Sequence, residues 1–431
     1  MSKSTKTVSR IGFIIVLLIL IMPIVRYYNV PGTDIGSNSA ITLALFLLAT
    51  IAVLFNNRYI STSNIALLRQ SRNYFIFFSI WSVIITLYYE YGGLASGNFN
   101  NAIVALLTSF VLIMLMTNKI DTTSIFKIYT LLVYVVLIVL LIQWALSIAG
   151  LAIDFRLPLH QFNGSWNFAD GTVFGMDGVN TSIFSEPAHL SEFLMPFLCY
   201  SLFGTNNKSK RGMQMAIITT IAIVLTMSGT GIVLLGIIWL LFFTIFSEKK
   251  GSNKIIIGVI GVIVLVGLFI FLQALEDYNA MLGKLFFSSN GSMEGNKASF
   301  RVYRGWDYVF KMPFEYLLTG VGFVHMEKFA SLHGLWSIFD NEFKMFEWFS
   351  AITEVLLYFG LIGFIPFVLH IHKLYKRQSD LTKSLVILFW ALLFTSQILF
   401  QETHFFYLVL IIGSIQLSDK SYEHKRDIAI L

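Results

Sequence analysis

The chain has 431 residues, of which 56% are hydrophobic and only 13% charged, with a mean hydropathy of +0.74 and a formal charge of +6. A soluble domain carries about 25% charged residues, so the composition excludes an ordinary soluble enzyme. The single cysteine, Cys199, excludes an intrachain disulfide and a metal site built on cysteine, and its place in an apolar run reads as a small buried hydrophobe.

Apolar runs of about 17–22 residues recur along the sequence, the length that carries a helix across a bilayer. They are continuous rather than alternating, which favours helices over a barrel of strands. In chain order the predicted spans are 11–26, 39–56, 74–91, 101–117, 128–150, 187–204, 213–228, 230–246, 255–273, 349–370, 384–400 and 404–417. The start, MSKSTKTVSR and an apolar stretch, has the form of a signal peptide. No small-residue cleavage site follows, so the expectation is a retained first span. The fold expected is an all-α polytopic membrane protein of about 12 transmembrane helices. It divides into residues 1–273, residues 274–348 and residues 349–431: nine spans with an outer loop at 151–186, one long outer loop, and three spans with a tail.

Basic residues mark sidedness, because cytoplasmic loops are enriched in Lys and Arg. With both termini inside, 21 of the 30 fall on the inner side, among them Lys3, Arg58, Lys127, Arg211, Lys249, Lys373 and Lys420. The rest are Arg26, Arg156 and seven in the segment 274–347. That outer segment holds 74 residues, seven basic and nine acidic, so it is no nucleic-acid patch, and its length marks it as functional.

The second outer segment, 151–186, offers Arg156, His160, Trp166, Asp170 and Asp177, a set that suits a sugar-binding surface and equally any solvated loop. It leads into SIFSEPAHLSEFL, residues 182–194. Glu186 and His189 stand where the loop enters a span, and Glu192 lies one turn deeper. Ionisable groups at membrane depth are functional candidates by default, although a glutamate before Pro187 also complements a helix dipole. The long loop carries SFRVYRGWDYVFKMPFEYLLTGVGF, residues 299–323. Helical spacing puts Arg301, Arg304 and Lys311 near one face and Val302, Trp306 and Val309 on the other, and Pro313 ends the helix. Gly320 and Gly322 permit a tight turn or a close backbone approach. Guanidinium forks suit phosphate oxygens. The same arginines would serve an interfacial helix that meets lipid headgroups. His325, His333, Asp340 and Glu342 are further candidates for a general base, and Glu90 and Glu354 lie near or in spans. Neither a metal-ligand HExxH nor a phosphate-binding GxxxxGK[ST] occurs.

Three segments together resemble the O-antigen and capsular polysaccharide polymerases of the Wzy type, relatives of the O-antigen ligases. The first is Ser185-Glu186-Pro187-Ala188 leading into a span. The second is LTMSGTGIVLLGIIWLLF, residues 225–242. The third joins Arg301, Arg304, Trp306, Pro313, Gly320 and Gly322 to Gly360-Leu361-Ile362-Gly363. The resemblance implies a GT-C-like fold and an inverting transfer of glycan from one polyprenyl diphosphate to the end of another lipid-linked repeat unit. It implies no metal or other cofactor. The reaction is placed on the outer face of a bacterial cytoplasmic membrane. Its partners are lipid-linked donor and acceptor, membrane lipids and a chain-length regulator, with no nucleic acid. Carried over, Arg301 and Arg304 bind the diphosphate. Glu186, His333 and Asp340 compete for the role of base, and Arg156, His160, His189, Trp306, Lys311, Gly320, Gly322 and His325 border the substrate. Ligase-like members place a histidine just before the span after the long loop, where this chain reads Trp348-Phe349-Ser350. A ligase, and in a different class a flippase for lipid-linked sugars, are the alternatives. A purely structural or sensory role would make the outer arginines incidental.

Overall fold

The structure, a computed structural model, describes residues 13–25, 28, 30, 40–45, 47–48, 73–74, 76–77, 80–81, 84–85, 122–151, 172–173, 176–177, 181–184, 186–204, 210–226, 228–244, 297–322, 329–330, 333–335, 349–376, 378–396, 398 and 402–430. For 122–124, 172–173, 176–177, 297–302, 416 and 418–430 it describes the backbone alone. The predicted spans 101–117 and 255–273 lie outside the described residues, as do most of 39–56 and 74–91.

Helix makes up nearly all of the described chain. The helices are α1 (Thr122–Ile148), α2 (Pro187–Phe203), α3 (Lys210–Leu225), α4 (Gly229–Thr244), α5 (Lys297–Lys311), α6 (Phe314–Thr319), α7 (Ala351–Tyr375), α8 (Asp380–Thr395) and α9 (Glu402–Ile430). Within the predicted outer loop 151–186, Thr172–Val173 (β1) and Met176–Asp177 (β2) form an antiparallel pair. Two helical stretches, Ile125–Ile148 and α7, are long and apolar enough to cross a membrane, and α4 and Glu402–Ile415 are shorter apolar helices. Several predicted boundaries shift. The span expected at 384–400 is α8, which starts and ends about a turn earlier. Ser379 caps it by accepting from Thr382 N at 3.3 Å, and the chain turns extended at Ser396. The capping serine, not the first apolar residue, sets that start.

The helices run up and down one bundle. Lys127, in the second turn of α1, lines one cavity with Arg211 of α3, Ser201 of α2 and Leu417 of α9. At the other end, Gln143 of α1 meets Ser182, Ser191 of α2 meets Thr226, and Ser396 after α8 meets both Glu192 and Ala351. Apolar side chains also cover much of the outside. Leu131, Val135, Ile138 and Ile142 form an exposed stripe on α1, with Ile217, Ile218 and Ile221 on α3 and Ile365 and Leu369 on α7. A helix apolar on every side belongs in lipid or in a large core.

Two breaks organise the interior. Pro196 sits inside α2 and has no N–H to give the carbonyl of Glu192, four residues back. The hydroxyl of Tyr407 on α9 donates to that carbonyl at 2.7 Å, and the hydroxyl of Tyr129 on α1 donates to the neighbouring carbonyl of Phe193. Two buried tyrosines from different helices thus bond the carbonyl that the proline leaves without its helical donor and the carbonyl beside it. The second break is Gly360 in α7, at φ 59° and ψ −167°. It interrupts the hydrogen-bond ladder of the preceding turn. Val321 N then donates to Leu357 O and Gly322 N to Tyr358 O, both at 2.9 Å. Gly320 (φ 77°) and Gly360 approach so closely that a Cβ on either would fall 2.4 Å from the other segment's backbone. The close approach expected of Gly320 is therefore made against the Gly360 break.

Pro196 and Tyr407 should be coupled. Tyr407→Phe leaves a buried carbonyl unsatisfied and should cost about 1–3 kcal/mol. Pro196→Ala restores the helix's own donor. In a double-mutant cycle followed by thermal unfolding of purified protein, Tyr407→Phe should cost measurably less in the Pro196→Ala background. Equal costs in both backgrounds would show that the tyrosine does not serve the proline.

Candidate functional site

The segment entering α2 is held before it reaches Glu186. Ser182, buried, takes the left-handed conformation at φ 54°, rare for a residue with a side chain. Its N–H donates to Gln143 Oε1 and its hydroxyl to Val136 O, each at 2.9 Å, both on α1. Tyr28 donates to Ile183 O at 2.7 Å. Three bonds from two other segments thus fix a strained turn just ahead of Glu186, an arrangement typical of functional sites.

Glu186 occupies the N-cap position of α2 with extended backbone, and Pro187 stands at the first helical position, where no N–H is needed. Its side chain makes no cap hydrogen bond and is 36% exposed. One turn on, His189 lies between two carboxylates. Its Nε2 is 3.8 Å from Glu186 Oε2, and its Nδ1 is 3.5 Å from Glu192 Oε2. Glu192 is buried, and Ser396 donates to its Oε1 at 2.9 Å. The result is a row that runs from a half-exposed carboxylate through an imidazole to a buried, anchored carboxylate.

The small-residue turn between α3 and α4 packs against α2 at Ser191, next in sequence to Glu192. Ser228 caps α4, its Oγ accepting from Gly231 N at 3.1 Å. The hydroxyls of Thr226 and Ser191 lie 2.9 Å apart. A Cβ at Gly231 would fall 2.6 Å from Ser191 Oγ, so only glycine admits this approach.

The arginine helix docks on the start of α7. Arg304 is fully buried, its guanidinium carbon 5.5 Å from the centroid of the Phe349 ring. Gly305 lies against Thr353, and Tyr308 stacks edge-on against Phe349 at 5.7 Å. Ser350 and Thr353 exchange hydroxyl contacts at the first turn of α7, beside the buried Glu354. A guanidinium keeps its charge at any ordinary pH, so its burial requires compensating groups, of which the Phe349 ring face is one. Ala351 N, at this same turn, donates to Ser396 O at 3.0 Å, while the Ser396 hydroxyl holds Glu192. Ser396 therefore joins the Glu186–His189–Glu192 row to the turn on which Arg304 rests.

The arrangement corrects part of the helical-face reading. Arg304, Gly305, Tyr308, Val309 and Met312 form the inward side of α5, so Val309 shares the arginine's side. Tyr303 and Phe310 point outward, as does Lys311, which pairs with Asp307 at 2.9 Å away from Arg304. The reason is packing: Tyr308, Val309 and Met312 are buried with the arginine, and Tyr303 and Phe310 face outward. Trp306 is half-buried and stacks on Phe310. His333 is exposed and packs against Tyr316 and Phe329 at 4.9 and 4.7 Å. Arg301 lies in α5, with its side chain outside the described residues. Arg156, His160, His325 and Asp340 lie outside the described residues. Among the described residues no group of three or more His, Cys, Asp or Glu side chains could hold a metal ion. Sequence reasoning missed Gln143, Ser182, Gly305, Phe349, Thr353 and Ser396. Hydroxyls and an amide inside apolar runs were the available signal. Compared with known proteins, the sequence matches no family model and no curated protein.

Gly305 offers a clean test of the docking. A Cβ there would fall 2.1 Å from Thr353 Oγ1, whereas Gly236 on α4 has open space around it. Gly236→Ala should stabilise the protein by about 0.5–1 kcal/mol, the ordinary helix preference. Gly305→Ala should instead destabilise it by about 1–3 kcal/mol through overpacking. Thermal unfolding of the two variants checks the opposite signs, and a stabilising Gly305→Ala would contradict the contact.

Proposed function

We propose that this chain is a multi-pass membrane glycosyltransferase. It polymerises polyprenyl-diphosphate-linked oligosaccharide repeat units on the outer face of a bacterial cytoplasmic membrane, with a GT-C-like arrangement of about 12 spans and both termini cytoplasmic. One observation carries the reading. The three segments that resemble the polysaccharide polymerases, far apart in sequence, are linked through α2 and α7: Ser191 touches Thr226 and Gly231, Ser396 joins Glu192 to Ala351, and Gly305 rests on Thr353. The apolar outer stripes of α1, α3 and α7 support a lipid-facing surface.

In this reading Arg304, with Arg301 on the same helix, binds the diphosphate of the donor. The bond between the anomeric carbon and the diphosphate oxygen breaks as the acceptor hydroxyl forms the new glycosidic bond. The diphosphate, already anionic, gains a further negative charge as the bond breaks, and fixed cationic donors favour that added charge. The hydroxyl's proton passes to Glu186, the half-exposed end of the carboxylate row. His189 and the anchored Glu192 orient that carboxylate and share its charge. Of the candidate bases, Glu186 has the most support, because its surroundings are built from both halves of the chain. Lys311, paired with Asp307, takes no part. The glycan, one repeat unit longer, is then carried by the acceptor lipid, and the donor's polyprenyl diphosphate departs as the leaving group.

Arg304→Lys keeps the charge and loses the fork, and Glu186→Gln keeps the shape and loses the base. Each should reduce long-chain glycan on the order of 100-fold or more, with single repeat units retained and the protein inserted at normal level. Glycan length profiles and protein quantification in cells that depend on this chain check it. Normal chain length in both variants contradicts the catalytic assignment. Failure of single repeat units to reach the outer side without the protein would establish a flippase instead.

A further inference from the structure

The opposite end of the bundle holds a cavity of about 620 Å³ between the start of α1, the end of α2, the start of α3 and Leu417 of α9. That volume falls within the roughly 300–1,000 Å³ typical of small-ligand sites. Among the described residues its polar lining is Lys127, Thr130, Tyr134, Tyr200, Ser201 and Arg211, two cations and four hydroxyls with no carboxylate. Neither cation has an ion pair among the described residues. The rest of the wall is apolar and preformed: Phe126 stacks on Tyr200 at 4.8 Å, and Phe197 packs edge-on to Tyr134 at 6.2 Å. Leu131 and Val135, neighbouring positions on α1, are exposed. The cavity thus combines an anion-attracting mouth, hydroxyl donors and an apolar interior that continues onto the outer apolar stripe. Its α2 lining, Phe197, Tyr200 and Ser201, lies three to four helical turns beyond Glu186, roughly 16–22 Å along the helix.

We infer that this cavity binds an anionic phospholipid of the inner leaflet, its phosphate held between Lys127 and Arg211 and its acyl chain against Phe126, Phe197 and Met215. Basic pockets between membrane helices on the cytoplasmic side take such headgroups, and a free phosphate would leave the apolar wall unused. The site lies at the far end of the same helix that carries the Glu186–His189–Glu192 row. The inference rests on the membrane orientation proposed above, and it is independent of glycan chemistry.

The test uses the full-length protein purified in neutral detergent. It is offered phosphatidylglycerol, phosphatidylcholine with the same chains, or millimolar inorganic phosphate, and retained lipid is counted by native mass spectrometry. Phosphatidylglycerol should be retained at least tenfold more than phosphatidylcholine. The double variant Lys127→Gln/Arg211→Gln should erase that preference, and because both side chains are exposed the core should fold unchanged, with the same unfolding temperature in phosphatidylcholine. Equal retention of the two lipids overturns the inference, as does retention of phosphatidylglycerol by the double variant at the wild-type level. Displacement of the lipid by inorganic phosphate would reveal a free-anion site and overturn the lipid assignment. Glycan elongation by the same preparations is read separately, so loss of lipid binding and failure of the polymerase reading are distinguishable.

Discussion

A backbone carbonyl shut inside an apolar bundle must find a donor, because no water is there to supply one, and leaving it bare costs several kcal/mol. The described fold answers that constraint at two places where its own helices cannot. Pro196 withholds a donor in α2, and Tyr407 and Tyr129 reach in from two other helices. Gly360 breaks α7, and the backbone of Val321 and Gly322 takes the place of the missing turn. Each repair ties elements that are distant in sequence, so the breaks act as joints between parts of the bundle.

The site follows from these joints. Tyr407 bonds the main chain of Glu192, the residue whose side chain ends the carboxylate row and is held by Ser396. The insertion of Gly320 beside Gly360 pins the C-terminal end of the segment that begins with α5, and this holds Gly305 against Thr353 and Arg304 beneath Phe349. Ser396 then links the two halves through its carbonyl and its hydroxyl. A buried arginine and a buried glutamate are expensive placements, and they persist where surrounding structure over-determines them.

Much of this was legible in the letters of the chain. Continuous apolar runs located α2, α3 and α4 within three residues, since length and hydropathy dominate there, whereas α1 begins six residues before its apolar run and α9 continues 13 residues past its own. Pro187, Pro313 and Gly320 were readable as punctuation, whereas Gly360 fell inside an uninterrupted predicted span and its break was not. The partners were not. Nothing in the local sequence says that Tyr407 serves Pro196, or that Ser396 bridges Glu192 to Ala351, because these bonds cross 215, 204 and 45 positions and depend on the packing of whole helices. The face of α5 was misread for a related reason. Helical spacing grouped Arg304 with Lys311 and set Val309 opposite, whereas packing against Phe349 and Thr353 turns Arg304 inward with Val309 and leaves Lys311 exposed.

The central claim is that the end of the bundle gathered around the first turn of α7 performs glycosyl transfer between two lipid-linked substrates. Purified full-length protein incubated with a polyprenyl-diphosphate-linked repeat unit, in buffer containing a metal chelator, tests it most directly. The account predicts a ladder of products that grow by whole repeat units while free polyprenyl diphosphate is released, one molecule per bond formed. Release without elongation, or no consumption of the lipid-linked unit by correctly folded protein, would contradict it.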